Sequence, residues 1–165
     1  MKNKVYLGLG SNIGNRAENI ISALSFLHSS GFADIKKISS FYETSAVGPK
    51  QRNFYNIAAE AETVLNPFDL LIMIKQAEGL LGRKQAKRWG PRAIDIDILF
   101  YGNKIISDSS LKIPHKEIQN RLFALAPLSE IASDFYHPIL HRKIKDIYKS
   151  GLLTLNDQKI KIIKQ

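Results

Sequence analysis

The short apolar run from Lys4 to Gly10 predicts a first β-strand, followed by a glycine-bearing loop. Ile20, Leu24 and Leu27 then fall at helical spacing and predict a helix from about Arg16 to Ser30. Asn15, with Glu18 three residues on, supplies its start. Asp34 to Glu43 and Phe54 to Thr63 read as strands separated by SAVGPKQRN, a polar loop too long for a simple hairpin and therefore a functional candidate. Asn66-Pro67 opens a second helix, with asparagine as cap and proline pre-set for the first turn, and Leu70, Ile74, Ala77 and Leu81 form its apolar stripe before Gly82. A basic loop, RKQAKRWGPR, leads into a strand over Arg92 to Tyr101, and Asn103 to Ile106 turns back as its short partner. Ile118 to Ile131 is partly helical, and Lys143 to Tyr148 forms a short helix.

This order matches a ferredoxin-like βαββαβ core of the α+β class: an antiparallel sheet, helices packed on one face, and extra C-terminal elements. At 165 residues the chain suits a single domain, 1–165, able to bury a core without disulfides. It has no cysteine, which excludes a disulfide framework, a thiol nucleophile and a cysteine zinc site, and favours a reducing, cytoplasmic setting. The opening MKNKVYLGLGSN meets glycine and asparagine too early for a secretory signal, and no run reaches membrane-spanning length. The net charge of +9 implies anionic partners without choosing among them. Lys159, Lys161 and Lys164 in the tail read as solvated surface.

The strand RAIDIDILFY puts Ile94, Ile96, Ile98 and Phe100 on one face and both Asp95 and Asp97 on the other. Carboxylates about 7 Å apart along a strand repel unless a cation lies between them. They are either an ordinary solvent-facing surface or a mount for magnesium, a hard ion that takes few protein carboxylates and completes its shell with phosphate and water. Arg83, Lys84, Lys87, Arg88 and Arg92 crowd just upstream, as either a solvated loop or a set of phosphate ligands. Trp89, the sole tryptophan, stands in that loop as a core anchor or a stacking surface. Glu78 borders the apolar face of its helix, placed to pair with an arginine or meet a ligand. Gly8 to Gly14 fits neither dinucleotide nor P-loop glycine spacing, so its glycines are read as serving a tight turn. His115, with Arg121 beyond it, is either surface or a further phosphate contact.

Taken in order, Gly10-Ser11-Asn12, Ser40-Phe41-Tyr42-Glu43-Thr44 with Val47-Gly48-Pro49, Phe54-Tyr55-Asn56, Gly82-Arg83, Arg88-Trp89-Gly90-Pro91-Arg92 with Asp95 and Asp97, Pro114-His115 and Asn120-Arg121 strongly resemble the 6-hydroxymethyl-7,8-dihydropterin pyrophosphokinases of folate biosynthesis. The resemblance implies transfer of pyrophosphate from ATP to the pterin hydroxymethyl group, leaving AMP. It implies two magnesium ions on Asp95 and Asp97, with Arg83 and Arg92 completing the catalytic set. ATP would meet Glu78, Arg83, Arg92, Ile98, His115 and Arg121. The pterin would lie between Trp89 and Phe123, with Thr44, Val47, Phe54 and Asn56 at its edge. Phe54 departs from a frequent tyrosine, and Gln85 stands where a second loop arginine is common, leaving Lys84 or Lys87 as its substitute. In such enzymes the loops matching Ser45 to Asn53 and Arg83 to Arg92 close over the substrates. The expected partners are the two small substrates, for a monomer acting in the cytoplasm without nucleic acid or membrane. Two competing classes are an RNA-binding ferredoxin-like domain, whose sheet would need stacking aromatics where the aspartates stand, and a metal-dependent phosphohydrolase that needs no pterin.

Overall fold

The computed structural model describes residues 1–82 and 90–163. The elements are β1 (Asn3–Ser11), α1 (Arg16–Ser29), β2 (Asp34–Ile38), β3 (Tyr42–Thr44), β4 (Phe54–Thr63), α2 (Pro67–Leu80), β5 (Asp95–Tyr101), β6 (Ile106–Ser107), β7 (Lys112–Ile113), a 3-10 turn (Ile118–Asn120), α3 (Leu122–Ala132), α4 (Ile144–Thr154) and β8 (Ile160–Ile162). Both predicted caps are formed. Asn15 accepts the Glu18 N–H at 3.2 Å, and Asn66 accepts those of Phe68 and Asp69 at 3.0 Å, satisfying donors that a helix start leaves without partners.

Among the described residues, the main sheet runs β5-β1-β4-β3-β8, with β2 also on β4. Every pairing in it is antiparallel, the ferredoxin-like arrangement. The strand expected over Asp34 to Glu43 is two strands. At the break Ser39 donates its N–H to Ala58 O at 2.9 Å, while its hydroxyl accepts the Ala58 N–H, also at 2.9 Å, in place of a backbone carbonyl.

Side chains alternate between two cores. Val5, Leu7, Leu9, Ile57, Ala59, Ile96 and Ile98 face α1 and α2. Tyr6, Ala58, Leu99 and Phe100 face α3 and α4. The sheet is therefore covered on both faces, not on one, because the C-terminal elements supply a second helical layer. A bulge corrects the reading of β5. Tyr6 pairs with Phe100 but Leu7 with Ile98, so Leu99 is the extra residue and Phe100 turns into the second core.

The partner strand expected at Asn103 to Ile106 does not pair with β5. Gly102, at positive φ, and the Lys104 N–H bond to Tyr101 O turn the chain away, and β6 pairs with β7 in a separate ribbon. The last helix extends past Tyr148 to Thr154 through Gly151, where a Cβ would meet the Leu122 side chain at 3.1 Å. The tail is not all free surface. Residues 160–162 are strand β8 on β3, although Lys159 and Lys161 keep exposed side chains.

Candidate active site

Beyond the second core, on the same face of the sheet, lies a cavity of about 520 Å³, within the range of small-molecule sites. Its floor is β1, β4 and β5. Gly8 and Gly10 lie within β1 rather than in a turn, two apart on the cavity face. A Cβ on Gly10 would stand 2.7 Å from Asn56 Oδ1, and one on Gly8 would press Leu99 at 3.3 Å. Bare backbone at these positions keeps the floor open. The turn itself uses Gly14, at φ +61°.

One side of the cavity is polar but spare. Asn56 Nδ2 donates to Thr44 Oγ1 at 2.7 Å, both residues being buried. That bond leaves an amide oxygen and a hydroxyl proton to read the edge of a ligand. Val47, Phe54 and Phe123 supply apolar wall around them.

The other side is charged. Arg92 meets Asp95 at 3.0 Å, while Arg121 Nη1 and His115 Nε2 each stand 4.0 Å from Asp97 Oδ2. Burial, then repulsion from Asp95, pushes the Asp97 carboxyl up to about 6 despite Arg121, Lys75 and Arg92. Burial, then the positive charge of Arg121, holds His115 down at about 4, so its imidazole is neutral at neutral pH. Its Nδ1 accepts the Glu117 N–H at 3.3 Å, which leaves Nε2 as the protonated nitrogen turned towards Asp97.

Burial and mutual repulsion thus make the ionised aspartate pair costly in the absence of a cation between the two carboxylates. Among the described residues no cluster of three or more acidic or histidine side chains forms a closed metal cage. Two carboxylates opening on a cation-lined cavity fit magnesium, which keeps most of its shell for phosphate and water.

Of the predicted site residues, the structure brings Thr44, Val47, Phe54, Asn56, Arg92, Asp95, Asp97, His115, Arg121 and Phe123 to this cavity. Glu78 is fully buried behind it, with Oε1 accepting the Ile96 N–H at 2.7 Å and Oε2 meeting Lys75 at 3.1 Å, so it braces the strand that carries the aspartates. The Ile98 side chain lies in the first core, on the far side of the sheet. Arg83 and Trp89, with Lys84, Gln85 and Lys87, lie outside the described residues.

The sequence profile of 7,8-dihydro-6-hydroxymethylpterin-pyrophosphokinase (HPPK) matches residues 6–133. The chain belongs to the HPPK family. It is 45% identical over 150 residues to a 2-amino-4-hydroxy-6-hydroxymethyldihydropteridine pyrophosphokinase of Aquifex aeolicus, covering 90% of this chain and 92% of that protein. A Bacillus subtilis protein of the same name is 46% identical over 132 residues, 79% of each chain. The fold is also that of the Plasmodium falciparum HPPK-DHPS solved with pterin and p-hydroxybenzoate, at TM-score 0.75 and 18% identity, over 95% of this chain. The chain spans 43% of that longer protein.

Against the HPPK motifs, one residue gains a role that the motif alone did not reveal. Asn12, 2% exposed, donates from Nδ2 to Gln51 Oε1 at 2.9 Å and to Arg52 O at 3.0 Å. Its Oδ1 accepts the Arg92 N–H at 2.8 Å, and its own N–H donates to Arg92 O at 3.0 Å. One buried amide therefore joins the ends of both loops expected to close over the HPPK substrates. Arg16 supports the first of them, donating to Asn53 O at 2.8 Å and to Glu43 at 3.0 Å while stacked 3.6 Å over the Tyr55 ring. Asparagine after a glycine-bearing strand was the available signal, but its partners lie in segments distant in sequence.

Proposed function

We infer that this HPPK-family chain transfers the terminal pyrophosphoryl group of ATP to the hydroxymethyl oxygen of 6-hydroxymethyl-7,8-dihydropterin, giving AMP and the pterin diphosphate in folate biosynthesis. The observation that carries this reading is the meeting, in one cavity, of the Thr44–Asn56–Phe123 slot with the Asp95–Asp97 pair. A flat, hydrogen-bonding heterocycle suits the first and a polyphosphate the second.

The pterin oxygen attacks the β-phosphorus, the bond from that phosphorus to the oxygen bridging to the α-phosphate breaks, its electron pair leaves with AMP, and the hydroxyl proton passes to solvent. The chain's work is positioning and charge stabilisation, as is usual for phosphoryl transfer. Asp95 and Asp97 would hold magnesium, which when bound neutralises the phosphate oxygens and orders them for in-line attack. Arg92 and Arg121 offer guanidinium forks to the same oxygens, and neutral His115 donates from Nε2 without adding charge. Thr44 and Asn56 orient the pterin edge, and Phe123 covers one face. Phe54 contributes contact area but no phenol hydroxyl. Trp89 would close the other face and Arg83 would add a further cation, both from the segment beyond Gly82. Lys84 or Lys87 would take the part of the arginine absent at Gln85.

The test is a magnesium-dependent reaction of purified protein with ATP and the hydroxymethyl pterin, resolving AMP from ADP. AMP formed in step with pterin diphosphate is expected. Pterin-independent release of phosphate or pyrophosphate would replace this reading with a nucleotide phosphohydrolase.

A further inference from the structure

The C-terminal segment lies outside the part of the chain that matches the family profile, yet it forms part of the cavity wall. Gln158 Oε1 accepts the Leu122 N–H at 2.9 Å, and Gln158 Nε2 donates to Asn120 O at 2.8 Å. These two bonds straddle Arg121, at the start of a helix whose own N-cap position provides no side-chain acceptor. Gln158 thus supplies from a distance what a capping residue supplies locally.

Its neighbour holds the opposite wall. Lys159 donates its N–H to Ser45 Oγ at 3.1 Å and accepts the Ser45 N–H at 3.0 Å. Beyond it, β8 pairs with β3 from Ile160 opposite Thr44 to Ile162 opposite Tyr42, and Ile163 N–H bonds Phe41 O at 2.8 Å. Two consecutive residues therefore tie the wall bearing Phe123 to the wall bearing Thr44 and Ser45.

We propose that Gln158 is a positioning residue for the pterin: with Lys159 it fixes the width of the slot between Thr44 and Phe123. This rests on the proposed function, because the ligand that must touch both walls is the planar one. A phosphate-bearing ligand held through Arg121 uses only one of them.

The variant that isolates the effect is Gln158→Met, which keeps length and bulk but loses both hydrogen bonds, with Gln158→Ala beside it. Loss of these two bonds is expected to raise KM for the pterin about tenfold and KM for ATP by less, since Arg121 between them keeps its own reach to the phosphates, with kcat within about threefold. A purely structural role would lower kcat with the active fraction and leave the pterin KM unmoved, and that result would overturn the proposal. A second measurement does not depend on activity. Amide hydrogen exchange at Leu122 in the full-length protein should quicken by about tenfold in Gln158→Met, in proportion to the lost acceptor. Unchanged exchange there would show that Gln158 does not hold the helix start, whether or not the wild-type protein turns over the pterin. A wild type with no turnover, alongside faster exchange in the variant, would refute the catalytic reading and leave the strap intact.

Discussion

Replacing Asp97 with asparagine should make the metal-free protein more stable while destroying its activity. Asp97 shares a face with Asp95, and its side chain is about one-third open to the cavity. Its carboxyl is displaced from 3.8 to about 6, first by burial and then by Asp95, so an ionised Asp97 opposes folding at neutral pH. Without solvent screening, a shift of that size corresponds to roughly 3 kcal/mol at about 1.4 kcal/mol per pK unit. The cavity is open to water, which screens the charge, and about 1–2 kcal/mol is the reasonable remainder. Asparagine has nearly the same volume and no charge, so Asp97→Asn should gain that amount, or about 3–6 °C in Tm for a chain of this size.

The sign follows from the raised value. Stability that is fully present below the unfolded pKa, near 3.8, is lost as pH rises through about 6. The advantage of the variant should therefore be complete at pH 7.5 and shrink towards pH 4.5. Urea unfolding in EDTA at both pH values measures it, with magnesium and ATP added in a parallel series. Wild type should be stabilised by the ligands and the variant should not, and transfer should fall by at least about a hundredfold. A variant less stable than wild type in EDTA at pH 7.5 would refute the claim that this aspartate is a burden carried for its ligand.

Asn12→Ala removes the amide that joins both loop ends and strands the Arg92 N–H, so it should cost about 2–3 kcal/mol in urea unfolding and lower kcat/KM for both substrates. Gly10→Ala sets a methyl 2.7 Å from Asn56 Oδ1 and should weaken pterin binding by at least about tenfold with ATP binding little changed, as read by equilibrium dialysis. Glu78→Ala leaves the buried Ile96 N–H without its acceptor and should cost about 1–3 kcal/mol, whereas Glu78→Gln, which keeps an oxygen there, should recover most of that loss.

Elements with strong periodicity and their own caps were legible from the chain. Asn15 and Asn66 start their helices as read, and Phe54–Thr63 is a strand with the expected ends. What escaped depended on partners far away in sequence. The break at Ser39 needs Ala58 opposite it, and the turn of Phe100 into the second core needs the register with Tyr6. Strand β8 has too few residues to show a period and exists because β3 offers it an edge. The aspartate pair and the convergent cations were visible as composition. That Glu78 braces β5 and that Gln158 caps α3 were not, since these roles are set by one and two long-range hydrogen bonds to backbone respectively.

Leu99 and Ala124 belong both to the second core and to the cavity wall, with Phe123 packed alongside. The cavity wall is thus continuous with the second core, and on β1 its floor is bare backbone at Gly8 and Gly10. A substrate entering it packs against residues that also hold α3 and α4 to the sheet. By mass action, a ligand at a hundred times its Kd adds about 2.7 kcal/mol to the stability of the folded chain. The protein saturated with its substrates is therefore expected to open and unfold less readily than the free protein, so that binding serves the fold as well as the reaction.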